Sequence, residues 1–357
     1  MQIRYELTKN KKEKPDMTKL GFGNYYTDHM FMMDYYEGQG FCDPRIIPYG
    51  PIEFDPASLV LHYAQETFEG LKAYRHNDDI LLFRPEKNAL RFQKSNERLG
   101  MPKVPISDFI EAIEALVNVD EDWIPNLPNT ALYLRPFMFA FEPKLGVHPA
   151  KHYKFLVIAS PVGSYYQTGL KPVKIFVEEE LVRAVKGGTG FAKCGGNYAS
   201  SILAQMQAEE KGYNQVLWLD GINHRYVEEV GTMNVMFVIG NEVITPEING
   251  SILEGITRDS CIQILKRNNI KVTEKRIDIK EIKEALENKT LTEAFGTGTA
   301  AVISPIGVLG FKDKVYPINN NEIGPIAQLL YDTITKIQRG EIRDTYGFTK
   351  IAKKISY

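Results

Sequence analysis

The sequence is poor in cysteine. Cys42, Cys194 and Cys261 are the only three in 357 residues, widely spaced and with no CxxC pair. An odd, scattered set excludes a disulfide framework and gives zinc no paired ligands, so no metal is expected. An excess of either charge is also missing. Lys and Arg total 43 against 45 Asp and Glu, a formal net charge of -2. So even a balance leaves no electrostatic footprint for nucleic acid or an anionic membrane. No stretch offers the ~18 consecutive apolar residues that a membrane helix needs, and no apolar run opens the N-terminus as in a signal peptide. These absences point to a soluble protein of a reducing compartment, the cytoplasm. There is no internal repeat. The longest basic stretch, Lys9-Asn10-Lys11-Lys12-Glu13-Lys14, reads as a solvated tail.

What is present is an ordinary globular balance, 43% hydrophobic and 25% charged. The length suits two domains of about 150 to 200 residues. Residues 59–63, 80–83, 131–134 and 154–159 read as strands. Residues 85–99 read as a helix, with proline at its first position and Gly100 after its end. Ser107 is placed to cap a helix running to Val117, with Ile110, Ile113 and Leu116 on one face. The turn formers of 161–169 make the best linker. Beyond it, 173–177, 215–220, 235–239 and 243–245 read as strands, and 199–211, 257–267, 280–287 and 323–339 as helices. The mixture is α/β or α+β in each half.

The most unusual segment is Gly187-Gly188-Thr189-Gly190-Phe191-Ala192-Lys193-Cys194-Gly195-Gly196-Asn197-Tyr198. Glycines let backbone approach a ligand closely. A lysine among small residues and a phenylalanine can lose solvent and with it proton affinity, as an imine-forming or proton-transferring amine requires. A surface turn carrying a solvated lysine fits the same spacing. The P-loop pattern GxxxxGK[ST] is not met. Three further segments hold interest. Glu228-Glu229-Val230-Gly231-Thr232-Met233-Asn234 precedes an apolar strand. Gly255-Ile256-Thr257-Arg258-Asp259 opens a helix whose first amides can bind phosphate. Phe295-Gly296-Thr297-Gly298-Thr299-Ala300-Ala301 can present a row of N–H groups to an anion. Each alone fits a turn or a capping motif equally well.

Taken together and in this order, these segments resemble the fold type IV pyridoxal-phosphate enzymes, and within them the branched-chain amino-acid aminotransferases. Tyr26-Thr27-Asp28-His29-Met30, Phe68-Glu69-Gly70-Leu71-Lys72-Ala73, Phe83-Arg84-Pro85, Leu132-Tyr133-Leu134-Arg135-Pro136 and Gln215-Val216-Leu217-Trp218-Leu219 add to the resemblance, which runs from about Phe22 to Arg343. It implies a mixed α/β (α+β), two-domain fold of the D-amino-acid aminotransferase type. A smaller N-terminal domain would span 1–163, an interdomain loop 164–174, and a larger cofactor-binding domain 175–357. It implies pyridoxal 5'-phosphate as cofactor. The reaction would be reversible transfer of the amino group of leucine, isoleucine or valine to 2-oxoglutarate, giving branched 2-oxo acids and glutamate. The molecule would be a homodimer.

The resemblance also implies roles. Lys193, in its Lys-x-Gly-Gly-Asn-Tyr setting, matches the Schiff-base lysine, which also carries the proton. The register Glu-Val-Gly-Thr selects Glu229, not Glu228, to face the pyridine nitrogen, where a carboxylate keeps the ring protonated and electron-withdrawing. Tyr198 matches the tyrosine on the cofactor's phenolate oxygen. Arg91, the backbone of Ile256 and Thr257, and the Thr299 hydroxyl would hold the phosphate. The N–H groups of Ala300 and Ala301 would take the substrate carboxylate. Tyr26, Phe68, Tyr133, Tyr165 and Thr232 would line the side-chain pocket, joined by Tyr63, Leu145 and Val147 of the second subunit. The same pocket must admit glutamate, and an apolar wall rejects an unpaired charge; Arg135 with the Tyr133 hydroxyl matches the pair that receives it.

Two departures stand out. Ala301-Val302-Ile303-Ser304 replaces the redox-sensitive CxxC of mammalian members, and Tyr26 replaces a phenylalanine. Rival activities are separable. A D-amino-acid aminotransferase or aminodeoxychorismate lyase would share Lys193 and Glu229 but lack Leu-Tyr-Leu-Arg-Pro. A non-catalytic binding protein would need only the phosphate cup. A cofactor-free imine-forming aldolase would need neither the cup nor Glu229.

Overall fold

The computed structural model describes residues 1–163 and 170–355. The chain divides into two compact units. One comprises Met1–Gln167, Ala192–Gly195 and Ile337–Tyr357, the other Thr168–Phe191 and Gly196–Lys336. Among the described residues no helix is long and apolar enough to cross a membrane.

The first unit is built on a nine-stranded sheet. Its path runs Arg4–Tyr5, Gly40–Pro48, His29–Tyr36, His152–Val162, Ala131–Ala140, Leu71–His76, Asp79–Phe83 and Thr349–Ile351, with the short strand Glu66–Phe68 also paired to Ala131–Ala140. Side chains alternate across a strand. Phe31 and Met33 therefore enter one core with Phe92, Phe109, Ile113 and Phe155. Met30 and Met32 enter another with Phe139 and Leu156, against which Tyr49 packs. A strand buried on both faces shows no polar alternation, which is why 29–36 was not legible as one.

Residues 59–63 form a single helical turn, Leu59–Tyr63, closed by Ala64 at φ 50. Only Leu59 of that turn is buried, so a strand would leave the other apolar side chains equally exposed, and the short apolar run did not discriminate. The helix expected to be capped by Ser107 spans Ile106–Val119, with Pro105 in the capping position and no side-chain cap; the Ser107 hydroxyl donates instead to Asp108. The basic stretch is anchored, not a free tail. The Lys12 N–H donates to Asp28 at 2.8 Å, its ammonium to the Thr27 carbonyl at 2.7 Å, and Lys14 pairs with Asp122. Those acceptors lie far along the chain, so local composition did not reveal them.

The second unit holds another nine-stranded sheet, ordered Val227–Val230, Gln215–Leu219, Val173–Glu178, Val302–Gly310, Leu291–Gly298, Met233–Ile239, Glu242–Pro246 and Lys271–Lys275, with Val315–Pro317 on Val302–Gly310. Val227–Val230 also pairs with Met233–Ile239, so the first six strands of that order close into a ring. Closure removes the free edge of Val227–Val230. The helices are Ile202–Glu210, Ile256–Arg267, Ile279–Glu287 and Pro325–Gln338. The helix expected over 199–211 thus begins at Ile202, after a separate short helix Gly195–Ala199. Of the expected linker, Pro161 and Val162 belong to a strand, and residues 164–169 lie outside the described residues.

The turn after Gln215–Leu219 is organised by one carboxylate. Asp220 accepts from the N–H groups of Asn223, Arg225 and Tyr226 at 2.8 to 3.0 Å. Burial pushes its carboxyl up, but these donors win and hold it at about 2. A depressed carboxylate stabilises the fold above its ordinary range, and that contribution fades as pH falls through about 2. Asp220→Asn is expected to cost about 1–3 kcal/mol near neutral pH and almost nothing at the acid limit. A pair of urea titrations at the two pH values checks this; equal losses at both would refute it.

Candidate active site

Lys193 is held by its backbone within the first unit. Its N–H donates to Ser95 Oγ at 2.9 Å, and its carbonyl accepts from the Phe68 N–H at 2.9 Å. Ser95 lies on the buried side of the helix Pro85–Arg98, and Phe68 ends the strand Glu66–Phe68. Two residues on, the Gly195 N–H donates to the Glu66 carboxylate. A Cβ on Gly195 would sit 2.2 Å from Glu66 Oε1, so a side chain there would expel the carboxylate. That contact explains one glycine of the lysine segment. The Lys193 ammonium lies 4.8 Å from the centre of the Phe68 ring, within cation–π range. Burial pushes the Glu66 carboxyl up, partly offset by the Gly195 N–H.

Glu69 is the feature the sequence reading missed. It is fully buried, accepting from Arg91 Nε at 2.7 Å, Arg91 Nη2 at 2.8 Å and Asn88 Nδ2 at 2.7 Å. Burial pushes its carboxyl up, yet the Arg91 guanidinium, with Lys193 and Asn88 assisting, brings it below the usual carboxylate range. Arg91 is thereby fixed on the inner side of its helix rather than solvated. The available signal was a glutamate embedded in Phe-Glu-Gly-Leu. A charge among apolar residues must be paired if buried, and Asn88 and Arg91 present donors one helical turn apart.

Tyr133 and Arg135 are two apart on one strand and share a face. Arg135 Nη2 donates to Tyr133 Oη at 3.0 Å, and its guanidinium lies 4.8 Å from the centre of Phe68 and 5.4 Å from that of Tyr133. Arg135 Nε is buried with no hydrogen-bond partner among the described residues. A Cβ on Gly70 would fall 2.1 Å from Tyr133 Oη, so only glycine allows the ring this close. Tyr26 stacks on Tyr49, 4.9 Å apart and 5° from parallel. Tyr63 stands 40% exposed beside Leu145 at 62% and Val147 at 87%, its hydroxyl accepting from the Gly146 N–H. The first unit thus brings Lys193, Phe68, Arg91, Tyr133 and Arg135 together, with Glu66, Glu69 and Ser95 behind them.

In the second unit, Glu228 and Glu229 are successive residues of the strand Val227–Val230 and face opposite ways. Glu228 meets Ser251 and Asn249, and burial pushes its carboxyl up. Glu229, also buried, pairs with Arg183 and accepts from Asn234 Nδ2 at 3.3 Å. Asn234 is a hub. It also donates to the Leu253 carbonyl, and a Cβ on Gly255 would fall 1.9 Å from its Oδ1. Ile256–Arg267 starts straight after Gly255 with no side-chain cap. Across the sheet, Asn234 pairs with Thr297, whose buried hydroxyl lacks a partner among the described residues.

Thr299, Ala300 and Ala301 form the turn between Leu291–Gly298 and Val302–Gly310. It ends on Val302 at φ 63, a costly conformation for a β-branched residue and of the kind concentrated at functional sites. Thr232 follows Gly231, at φ 54, in the turn before Met233–Ile239. Tyr198 lies in the short helix Gly195–Ala199. Tyr165 lies outside the described residues. Arg183 and Asn234 escaped the sequence reading because pairing with Glu229 depends on contacts made only on folding.

The sequence matches the family Amino-transferase class IV over residues 66–308. It is 58% identical over 348 residues to branched-chain-amino-acid aminotransferase 2 of Bacillus subtilis (strain 168), covering 97% of this chain and 96% of that protein. A branched-chain amino acid aminotransferase from T.th., solved with pyridoxamine 5'-phosphate, superposes with a TM-score of 0.74 at 26% identity, over 94% of this chain and 99% of that one. The same enzyme complexed with N-(5'-phosphopyridoxyl)-L-glutamate gives a TM-score of 0.72 at 26% identity, over 90% and 98%. The lysine segment, Glu229 and the turn at 299–301 all fall inside residues 66–308, and the chain belongs to the class IV aminotransferases.

Proposed function

We propose that this chain is a pyridoxal-phosphate-dependent branched-chain amino-acid aminotransferase, exchanging the amino group of leucine, isoleucine or valine with 2-oxoglutarate. The observation that carries the reading is the setting of Lys193, clamped through its backbone with its ammonium over the Phe68 ring, which the Arg135 guanidinium also faces. The residues present fit the cofactor. The helix start at Ile256, a buried Thr297 hydroxyl without a partner among the described residues and the adjacent turn at 299–301 suit a phosphate dianion. A buried carboxylate, Glu229, suits a ring nitrogen that must stay protonated.

When bound, pyridoxal phosphate supplies an aldehyde carbon for the amine and a ring that withdraws electrons from the substrate Cα. Lys193 Nζ would hold the cofactor and, when freed, would take up and return the proton at the substrate Cα. Its four-carbon stem lets one amine do both. Glu229, compensated by Arg183, would face the ring nitrogen. Tyr198 would donate to the phenolate oxygen. Arg91, the amides of Ile256 and Thr257, and Thr299 would hold the phosphate. The amides of Ala300 and Ala301 receive the substrate carboxylate. Tyr26, Phe68, Tyr133 and Thr232 would form the wall. Arg135 and Tyr133 Oη take the γ-carboxylate of glutamate. The exposed Tyr63, Leu145 and Val147 serve a second copy in a homodimer, and the cysteine-poor, disulfide-free chain works in the cytoplasm.

The decisive experiment is an absorbance titration. Purified holoenzyme should show a band near the visible edge that moves to shorter wavelength on leucine and returns on 2-oxoglutarate. A band that ignores leucine would reject the substrate assignment; no band even with added cofactor would reject the role of Lys193. For the dimer, Val147→Asp is expected to yield monomer in sedimentation. A wild-type chain that sediments as monomer would exclude the shared pocket.

A further inference from the structure

The basic N-terminal stretch has no place in the chemistry above, yet it is tied down residue by residue. The Thr8 N–H donates to His29 Nε2 at 2.9 Å, and His29 Nδ1 bonds Asp120 at 2.7 Å. The Lys12 N–H donates to Asp28 Oδ1, whose second oxygen accepts from Trp123 Nε1 at 2.8 Å. The Lys12 ammonium then reaches the segment that carries Tyr26, 2.7 Å from the Thr27 carbonyl and 3.3 Å from the Tyr26 carbonyl. The same ammonium lies 4.3 Å from the centre of the Tyr49 ring, on which Tyr26 stacks.

The segment is anchored on both flanks, with the Gly21 carbonyl accepting from the Gly163 N–H at 2.9 Å and Phe22 packing edge-on against Tyr133 on the far side of the exposed Asn24 and Tyr25. Thr27, Asp28 and His29 are buried, and the Thr27 N–H is fixed to the Ala159 carbonyl. Tyr26 is the first half-buried residue ahead of them, and Asn24 and Tyr25 before it are exposed. The place of the Tyr26 ring therefore depends on what holds its own carbonyl and what lies against its face. Lys12 does the first, and Tyr49 the second. Tyr49 is itself seated by its N–H on the Asp28 carbonyl at 2.9 Å and by apolar contact with the Met30 and Met32 core.

We propose that Lys12 and Tyr49 are positioning residues that set the Tyr26 ring and so tune the enzyme's discrimination by side-chain bulk. The proposal rests on the reading of Tyr26 as part of the substrate wall. A wall displaced by less than a methyl group changes which aliphatic side chain fills the pocket, and one methylene of fit is worth on the order of tenfold in kcat/KM. The cation matters because it bridges two carbonyls and a π-face at once, which a neutral side chain of equal length does not.

The test uses full-length holoenzyme. Lys12→Met keeps the stem and removes the charge; Tyr49→Leu removes the stack; Lys12→Arg restores a cation. Both disrupting variants should shift the leucine-to-valine ratio of kcat/KM by about fivefold or more, through KM, with kcat within about twofold. Hydrogen exchange over residues 24–30 should quicken in Lys12→Met and recover in Lys12→Arg, as should the ratio. Ratios and exchange unchanged in both disrupting variants would overturn the proposal. Tyr26→Ala separates the layers. If it leaves the ratio as in wild type, the wall assignment falls and the proposal with it. If it shifts the ratio while Lys12→Met and Tyr49→Leu do not, only the positioning role falls. A wild type inactive on both substrates sinks the functional reading, and the exchange arm still decides whether Lys12 holds Tyr26.

Discussion

Lys193→Ala is expected to lower transamination of leucine by on the order of 10⁴-fold, since it removes both the amine that holds the cofactor and the base that moves the proton. The visible-edge band should vanish with it. Lys193→Arg sharpens the result. A guanidinium keeps the positive charge above Phe68 but stays protonated under all working conditions, so it should be as inactive as alanine while keeping the charge that lowers Glu69. Its melting temperature should therefore lie nearer the wild type than that of Lys193→Ala. Single-turnover mixing of purified variants with leucine measures the loss. An alanine variant retaining more than about a hundredth of wild-type rate would transfer the proton role to another base.

Glu69→Ala should be the most destabilising single change in the first unit. It leaves the Arg91 guanidinium buried without the carboxylate that takes two of its N–H groups. Breaking a buried pair from one side costs about 3–5 kcal/mol, and at about 2–4 °C per kcal/mol in a domain of this size the melting temperature should fall by roughly 6–20 °C. Glu69→Gln, which still accepts from Arg91 and Asn88 but brings no charge, should fall between. Because the folded carboxyl lies below the usual range, its contribution is complete above the ordinary glutamate range and disappears as pH falls through the depressed value. Calorimetry from pH 7 downwards should show the wild-type and alanine curves converging. Parallel curves would assign the loss to packing alone.

Much of the fold could be read where one residue type dictates a boundary. Pro85 and Gly100 framed a helix that begins at Pro85 and ends at Arg98, and the strands near 80–83 and 173–177 lie where expected. Reading failed where burial was two-sided, as along His29–Tyr36, and where a short apolar run carried no period, as at Leu59–Tyr63. The candidate site divides in the same way. Lys193 announces itself by five neighbouring glycines, one of them now explained by Glu66. The residues behind it do not. Glu69, Arg183 and Asn234 are ordinary in composition and become informative only through partners made on folding, at separations of 22, 46 and 5 residues for Arg91–Glu69, Arg183–Glu229 and Asn234–Glu229.

The first unit is discontinuous in the chain, and that has a bearing on its birth on the ribosome. Its sheet ends in Thr349–Ile351 laid against Asp79–Phe83, and Ala192–Gly195 completes the seat of the lysine. During synthesis the strand Asp79–Phe83 emerges some 270 residues before the partner that covers its edge. At about 5–20 residues per second, that edge stays open for tens of seconds, a template for pairing with neighbouring nascent chains. Truncation from the C-terminus reopens the same edge, so the last twenty or so residues act as a seal whose loss should be felt as aggregation before it is felt as lost activity.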